Sequence, residues 1–165
     1  IINNSKPVIA EVSGIATAAG CQLVASCDLA YASENSKFAT PGVNIGLFCS
    51  TPMVALSRVV KNKHSMEMLL TGDFIDADKA KNIGLINNYF SEDSLVSEIR
   101  EIANKIANKS SQTVKIGKKA FYNQAQMKTD DAYKYASEVM IENMMNQDSD
   151  EGISAFLEKR EPNWS

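Results

Sequence analysis

The feature that most constrains the fold of this chain is a short apolar strand that leads directly into a stretch of small residues. Residues Pro7–Val12 read PVIAEV, a β-branched run that predicts a buried strand. The small residues of Gly14–Gly20 predict a loop, and Cys21–Ser26 predicts a short helix after it. Two more predicted strands, Leu29–Ala32 and Phe38–Thr40, follow on either side of a polar stretch. The first quarter of the chain is therefore expected to be α/β.

Helices are expected to dominate after this region. Thr51 is the predicted N-cap of a helix with Pro52 in its first position, because proline there lacks only an N–H that would be unpaired anyway. The helical pattern continues through Ser65–Leu70 and stops at Gly72.

Two shorter elements are predicted next. Asp76 is the expected cap of a short helix that ends at Asn82, and Gly84 is its C-terminal stop. Leu85–Phe90 fits either a strand or an extended connector.

The last third of the chain is predicted to be helical throughout. A helix starts after Ser91, and its apolar side chains fall on one stripe at spacings of three and four: Leu95, Ile99, Ile102, Ala103 and Ile106. Further helices are predicted over Thr113–Gln126, Asp130–Asn146 and Glu151–Arg160. Because no repeat or linker is present, residues 1–90 are expected to form the β/α part of one domain and residues 91–165 its helical region.

Composition removes several classes of function. The net charge is -3, so the surplus of cations that nucleic-acid binding requires is missing, and no apolar run is long enough to cross a membrane. The three cysteines form no Cys-x-x-Cys pair, which argues against a disulfide scaffold or a zinc site. With His64 as the one histidine, a multi-histidine metal site is excluded, and His64 itself is expected to be solvated. No metal or cofactor is expected.

The Gly14–Gly20 loop is the first candidate for chemistry. A strand that turns through small residues into a helix leaves backbone N–H groups that no side chain blocks, and these can bind an anion. An N–H near Ala19 or Gly20 can then stabilise negative charge on a substrate carbonyl oxygen. The alternative is a tight turn chosen for close packing, since no phosphate-loop motif is present.

Several segments together resemble one known family. The run KPVIAEVSGIATAAGCQLVASCDLAYA at Lys6–Ala32 is similar to the central segment of the enoyl-CoA hydratase/isomerase (crotonase) family. The resemblance continues through KFATPGVNIG, MEMLLTG and the closing EGISAFLEKR. It implies a crotonase fold of stacked βαβ units with a C-terminal helical region that packs on neighbouring subunits in a trimer or hexamer. The implied substrate is an acyl-CoA thioester, and the implied intermediate is an enolate held by two backbone N–H groups.

The resemblance assigns roles to particular positions. Ala19 is expected to supply one of the two N–H donors, and the second belongs to a segment upstream of Ile1, where we expect that part of the protein is missing. Phe156 and Lys159 match positions that approach the adenine and phosphate end of CoA, generally of an adjacent subunit. Without the resemblance, these two residues would be a core aromatic and a solvated lysine.

Two positions depart from the family pattern. Hydratases of the family place two glutamates around a water, because hydration needs two proton transfers. Here those positions are Gln22 and Gly42, and neither can titrate. Ordinary hydration is therefore doubtful unless another carboxylate substitutes, and the nearby candidates are weak ones: Glu11, Asp28 and Glu34.

Other residues are expected around the acyl chain or on the surface. The segment that lines the acyl pocket in the family contributes Asn44, Phe48, Cys49 and Ser50, with Cys49 more suited to packing than to nucleophilic attack. A phosphate tail is one possible partner of Lys115, Lys118 and Lys119, and solvent is the other. The methionines at 140, 144 and 145 are expected in the core or at a subunit contact.

The sequence thus predicts an acyl-CoA-binding, homo-oligomeric protein that stabilises a thioester enolate. The alternative is a non-catalytic subunit that binds acyl-CoA or only forms oligomers. The family suggests the mitochondrial matrix or a bacterial cytoplasm.

Overall fold

Six short strands form two three-stranded sheets in the computed structural model, which describes all residues from Ile1 to Ser165. The first sheet has the order β1 (Ile9–Val12), β3 (Leu29–Ser33) and β6 (Asn88–Phe90), and all its strands are parallel. The second has the order β2 (Ile15–Thr17), β4 (Lys37–Ala39) and β5 (Ile75–Asp76), with β2 and β4 parallel and β5 antiparallel to β4. The chain passes from one sheet to the other at Ser13-Gly14, where Gly14 has a φ of 113° that few other residues adopt.

Eight helices and one 3₁₀ helix complete the chain. The 3₁₀ helix is Pro41–Ile45. The α-helices are α1 (Ala19–Ser26), α2 (Ser50–Val59), α3 (Asn62–Thr71), α4 (Ala77–Asn82), α5 (Leu95–Ala107), α6 (Ser111–Gln124), α7 (Thr129–Met144) and α8 (Gln147–Glu158). No helix is both long enough and apolar enough to cross a bilayer.

The chain divides into two compact units. Ile1 and Val8–Ala103 form the first unit, and Ile2–Pro7 with Asn104–Ser165 form the second. The core of the first unit contains Phe38, Leu56 and Leu69, each at most 1% exposed. Burying side chains of this size contributes roughly 1.5–3 kcal/mol each, which holds the small sheets against α1, α2 and α3.

The amphipathic stripe of α5 is confirmed where the helix packs in the first unit. Leu95 and Ile99 are buried against Tyr31, and Ile102 packs beside them. The ring of Tyr31 lies 6.0 Å from that of Phe90, centroid to centroid. The helix therefore covers the β1-β3-β6 sheet through the side chains that its periodicity predicts.

Capping predictions were confirmed at some helix ends and wrong at others. Asp76 caps α4 by accepting a hydrogen bond from the Lys79 N–H at 2.8 Å, and Gly72 ends α3 with a left-handed φ of 68°. Thr51 is not an N-cap, because α2 already begins at Ser50 after Cys49. The predicted loop Gly14–Gly20 contains β2, since pairing with distant residues of β4 makes a strand of Ile15–Thr17.

The second unit is held at its end by polar contacts to α8. The buried carboxylate of Asp148 accepts hydrogen bonds from the Ser110 hydroxyl and the Ser165 N–H, and both bonds lower its pKa. Glu151 receives two bonds from the guanidinium of Arg160, which is the main reason its pKa falls to about 2. These contacts fix the residues after α8 to the helix itself.

Apolar side chains of the second unit point outward to an unusual degree. Met140, Met144 and Met145 are 59%, 56% and 83% exposed, so of the two expected places for them, the core is excluded and a subunit contact stays a prediction. Tyr133 of the same helix is 73% exposed. Large apolar groups this exposed are typical of a surface that another molecule covers.

Candidate active site

The candidate site lies where β2 and β4 end side by side. The two strands are parallel, with Thr17 opposite Ala39, and the Ala18 N–H extends the ladder by donating to the Ala39 carbonyl at 3.0 Å. The segments that follow, Ala19 on one side and Thr40–Gly42 on the other, therefore leave the sheet at the same edge. In parallel sheets, the edge at the carboxyl ends of the strands is where ligands usually bind.

The backbone bends sharply at Ala18, just before α1 begins. Ala18 has φ 46° and ψ -111°, a conformation that L residues other than glycine rarely adopt. Holding alanine there costs roughly 1–3 kcal/mol, and such strain tends to occur at functional sites.

The first backbone N–H groups of α1 are free to meet a ligand. Gln22 is the first residue of the helix whose N–H bonds within the chain, to the Ala18 carbonyl at 3.0 Å. The N–H groups of Ala19, Gly20 and Cys21 donate no hydrogen bond within the chain; Ala19 is exposed and Gly20 half-buried, whereas Cys21 is buried, so the first two are the accessible donors. These donors, together with the positive end of the helix dipole, can stabilise a negatively charged oxygen.

Gln22 lies one turn along the same helix. Residues three apart on a helix are neighbours on its surface, so the Gln22 side chain projects from the face that also carries Ala19. The side chain is half-buried, and its amide forms no hydrogen bond within the chain. It can therefore orient a water or a carbonyl oxygen, but it cannot accept a proton as a base.

Gly42 lies in the 3₁₀ helix on the other side of the edge. Its N–H donates to the sulfur of Cys49 at 3.3 Å, and its carbonyl accepts from the Leu47 N–H at 2.9 Å. Asn44 and Phe48 of the same segment are exposed, and Cys49 is buried.

Burial, with a smaller contribution from nearby Cys49, raises the pKa of the Cys21 thiol to about 12. The burial of Cys49 and the raised pKa of Cys21 both argue against a nucleophilic role for these cysteines.

The three carboxylates that could replace the missing glutamates lie away from the start of α1. Asp28 accepts the Val8 N–H at 2.7 Å and lies beyond the far end of α1, whose length from Ala19 to Ser26 is about 10 Å at 1.5 Å per residue. Glu11 lies on β1, and Glu34 follows β3, both exposed to solvent. None of the three is placed beside the free N–H groups by its element.

Phe156 and Lys159 belong to the second unit. Phe156 is 82% exposed and lines a cavity of about 560 Å³ with Ile153, Leu157 and Trp164. Lys159 ends α8 in a left-handed conformation with φ 56°. The prediction that these residues meet CoA thus stays a prediction, although Phe156 is not the core aromatic that was the alternative.

The remaining candidates make ordinary contacts. His64 pairs with Glu67 at 3.8 Å on the surface of α3. Lys118 donates to the Lys6 carbonyl at 3.0 Å, whereas Lys115 and Lys119 line a cavity of about 250 Å³. No cluster of acidic, histidine or cysteine side chains is arranged to hold a metal ion.

Sequence reasoning missed two features of the site. The bend at Ala18 gives no signal in the sequence, because alanine ordinarily avoids positive φ. Thr40, which is fully buried beside Pro41, has a hydroxyl without a hydrogen-bond partner. A buried hydroxyl of this kind is costly, and no sequence pattern distinguishes it from a paired one.

Comparison with known proteins gives consistent matches over the whole chain. A family model described as enoyl-CoA hydratase/isomerase matches residues 1–165. The mitochondrial enoyl-CoA hydratase domain-containing protein 3 of Xenopus laevis is 55% identical over 159 residues, which are 96% of this chain and 54% of that protein. The chain thus spans about half the length of the curated relatives it matches.

Solved structures agree with the sequence matches. An enoyl-CoA hydratase from Mycobacterium smegmatis has a TM-score of 0.98 and 51% identity, covering 99% of this chain and 64% of that one. The human enoyl Coenzyme A hydratase domain-containing protein 3 has a TM-score of 0.97 and 52% identity, covering 99% of this chain and 65% of that one. The fold expected from the sequence is confirmed.

Proposed function

Because this chain belongs to the enoyl-CoA hydratase/isomerase family, we propose that it forms the acyl-CoA-binding part of a site that stabilises a thioester enolate. The observation that carries the proposal is the free N–H of Ala19, exposed at the start of α1 behind a strained bend. A donor held in advance at the place where charge develops needs no reorganisation during the reaction. The second donor is expected from residues that precede Ile1.

The substrate contacts follow from the two segments at the sheet edge. The thioester oxygen accepts from the Ala19 N–H, with Gly20 allowing close approach, and the acyl chain passes Gln22, Gly42 and Asn44. Phe48 and Cys49 border the same path. The adenine end of CoA meets Phe156 and Lys159, generally those of a neighbouring copy, through ring stacking and a point charge on phosphate.

The chemistry expected here is enolate stabilisation with little acid-base help. General acid-base catalysis typically contributes about 10²- to 10⁴-fold, and neither Gln22 nor Gly42 can provide it. Decarboxylation, which forms the enolate by loss of CO₂ and requires no base, therefore suits the site better than hydration. Thioester hydrolysis by a water that Gln22 holds is the other candidate; it passes through a tetrahedral oxyanion at the same N–H donor, and the departing CoA thiolate takes up the proton of the water. The reaction needs no cofactor beyond the CoA thioester itself.

A pair of ligands tests the Ala19 contact without altering the protein. The complete protein, including the segment upstream of Ile1, is titrated with butyryl-CoA and with butyl-CoA, the thioether that lacks the carbonyl. Losing a hydrogen bond of about 0.5–1.5 kcal/mol should weaken the thioether by roughly 2- to 13-fold. Equal affinity of the two ligands would refute the contact with the carbonyl.

A turnover assay tests the statement about hydration. Crotonyl-CoA is followed at the enoyl absorbance in the complete protein, and we expect hydration at least about 100-fold below that of a two-glutamate family enzyme measured in parallel. Comparable rates would mean that another group replaces the glutamates.

A second candidate function is a non-catalytic subunit that binds acyl-CoA or only forms oligomers. It is favoured by outward apolar side chains in this region, such as Met145, directly after α7, and Phe156 of α8, at 83% and 82% exposure. Trimers or hexamers of the complete protein would cover this surface. An increase in melting temperature with CoA thioesters, without consumption of any of them, would support this candidate.

The compartment is proposed from the relatives. The protein from Xenopus laevis is described as mitochondrial, which supports the mitochondrial matrix for this protein, with a bacterial cytoplasm as the alternative. Fractionation of eukaryotic cells that express the complete coding sequence tests the mitochondrial assignment, which recovery outside the mitochondria would contradict.

A further inference from the structure

The segment Gly42–Cys49 closes on itself at Gly42. The Gly42 carbonyl accepts from the Leu47 N–H at 2.9 Å, and the Gly42 N–H donates to the Cys49 sulfur at 3.3 Å. Between these two bonds the chain turns at Gly46, whose φ of 77° is left-handed. Both polar backbone groups of Gly42 are therefore used to hold the end of the segment against its beginning.

The closed segment occupies the space that a side chain at position 42 requires. A Cβ atom built on Gly42 collides with the Leu47 carbonyl oxygen, lies 2.9 Å from the Cys49 sulfur and lies 3.3 Å from the Cys49 nitrogen. Two of these three atoms belong to the backbone, so a rotamer change cannot remove the overlap. Only movement of the segment can.

The segment is also braced from outside. Cys49 is 8% exposed and directly precedes α2, which fixes one end. On the other side, Val43 and Asn44 pack against Gly72, where a Cβ atom would lie 3.1 Å from the Val43 side chain and 3.0 Å from that of Asn44. Moving the segment to admit a side chain at position 42 would therefore disturb the start of α2 and the end of α3.

We propose that Cys49 and the closed segment Gly42–Cys49 keep position 42 free of any side chain, so that of the two positions 22 and 42 only position 22 can present a proton-transferring side chain to the site. This inference builds on the proposed function, because it restricts the reactions open to that site. Cys49 is a positioning residue here: it acts through the backbone of Gly42. The lack of a carboxylate at this place in the site is thus a consequence of the backbone path, and a carboxylate introduced at position 42 would not be held beside the substrate.

Melting temperatures test the packing without reference to any ligand. Gly42→Ala is compared with Gly20→Ala in the complete protein, since a Cβ at Gly20 meets only the Ala16 side chain at 3.9 Å. Overpacking of 1–3 kcal/mol predicts that Gly42→Ala melts about 3–10 °C below the wild type. Gly20→Ala should melt no lower than the wild type, because alanine favours the helix. Equal melting temperatures for the two variants would overturn the proposal.

A double-mutant comparison tests the role of Cys49. In the Cys49→Ala background, the decrease caused by Gly42→Ala should be smaller, because one colliding atom is gone, but it should persist because the Leu47 carbonyl remains. The same decrease in both backgrounds would remove Cys49 from the proposal.

A hydration assay tests the consequence for chemistry. The hydration of crotonyl-CoA by Gln22→Glu and by the double variant Gln22→Glu/Gly42→Glu is compared, and we expect the double variant to be no faster than the single one, because the second glutamate adds none of the roughly 10²- to 10⁴-fold contribution of a working acid-base group. A gain of about 100-fold in the double variant would overturn the proposal. If the wild type binds no CoA thioester, the proposed function fails, whereas the melting comparison still decides the packing inference.

Discussion

Replacing Ala18 with glycine should stabilise this protein, although alanine-to-glycine changes ordinarily do the opposite. Ala18 has φ 46° and ψ -111°, where an L residue with a Cβ atom is strained by roughly 1–3 kcal/mol and glycine is not. Glycine loses about 0.5–1 kcal/mol more conformational entropy on folding. The half-buried methyl group of Ala18 packs against the core and contributes at most about 0.8 kcal/mol. With the central values of about 2 kcal/mol of relieved strain, about 0.75 kcal/mol of entropy and at most about 0.8 kcal/mol of lost packing, the expected net effect is a stabilisation of about 0.5–1 kcal/mol.

A matched control shows whether the change in unfolding free energy at Ala18 has an unusual sign. Ala136 is exposed within α7, where the same substitution should destabilise by about 1 kcal/mol. Urea denaturation of both variants of the complete protein gives the two changes in unfolding free energy, provided that the m-value is the same as in the wild type. If Ala18→Gly destabilises as much as Ala136→Gly does, the bend at Ala18 carries no strain, and the argument that strain exposes the Ala19 N–H fails.

Three further outcomes are expected. Gly117→Ala should raise the unfolding free energy by about 0.5–1 kcal/mol, because Gly117 lies inside α6 with nothing within 4 Å of an added Cβ; destabilisation in urea melts would contradict this. Since folding lowers the pKa of Glu151 from 4.5 to about 2, the wild type should lose stability between pH 4.5 and 2, with a smaller loss in Glu151→Gln; parallel pH profiles would exclude the Arg160 contact as the cause. Because burial raises the pKa of Cys21 to about 12, iodoacetamide at pH 8 should leave the native Cys21 unmodified, as peptide mass spectrometry can check, and rapid labelling would show that the site opens.

Local patterns predicted those elements whose stability depends on nearby residues. The stripe of α5, the cap at Asp76 and the stop at Gly72 each depend on side chains within a turn or two, and each was confirmed. The strand β2 was missed because its three residues form a strand only through pairing with β4, some twenty residues away. Non-local pairing of this kind leaves no periodicity in so short a segment.

The outward methionines illustrate a similar limit. Spacing along α7 places Tyr133, Met140 and Met144 on one side, but spacing does not say whether that side meets the protein's own core or another surface. In the structure these side chains are more than half exposed. Which neighbour a helix face meets is decided by the packing of whole elements.

By itself, the sequence determined which chemical groups this site has. Gln22 and Gly42 lack titratable groups in any fold, and the residues next to Ala19 have side chains too small to cover its backbone donor. Tertiary structure alone decided that the ends of β2 and β4 bring Ala19 and Gly42 to one edge, and that the return of the chain at Cys49 fills the space beside Gly42. The physical reason is that chemical identity belongs to each residue, whereas proximity and free volume depend on contacts between segments far apart in the chain.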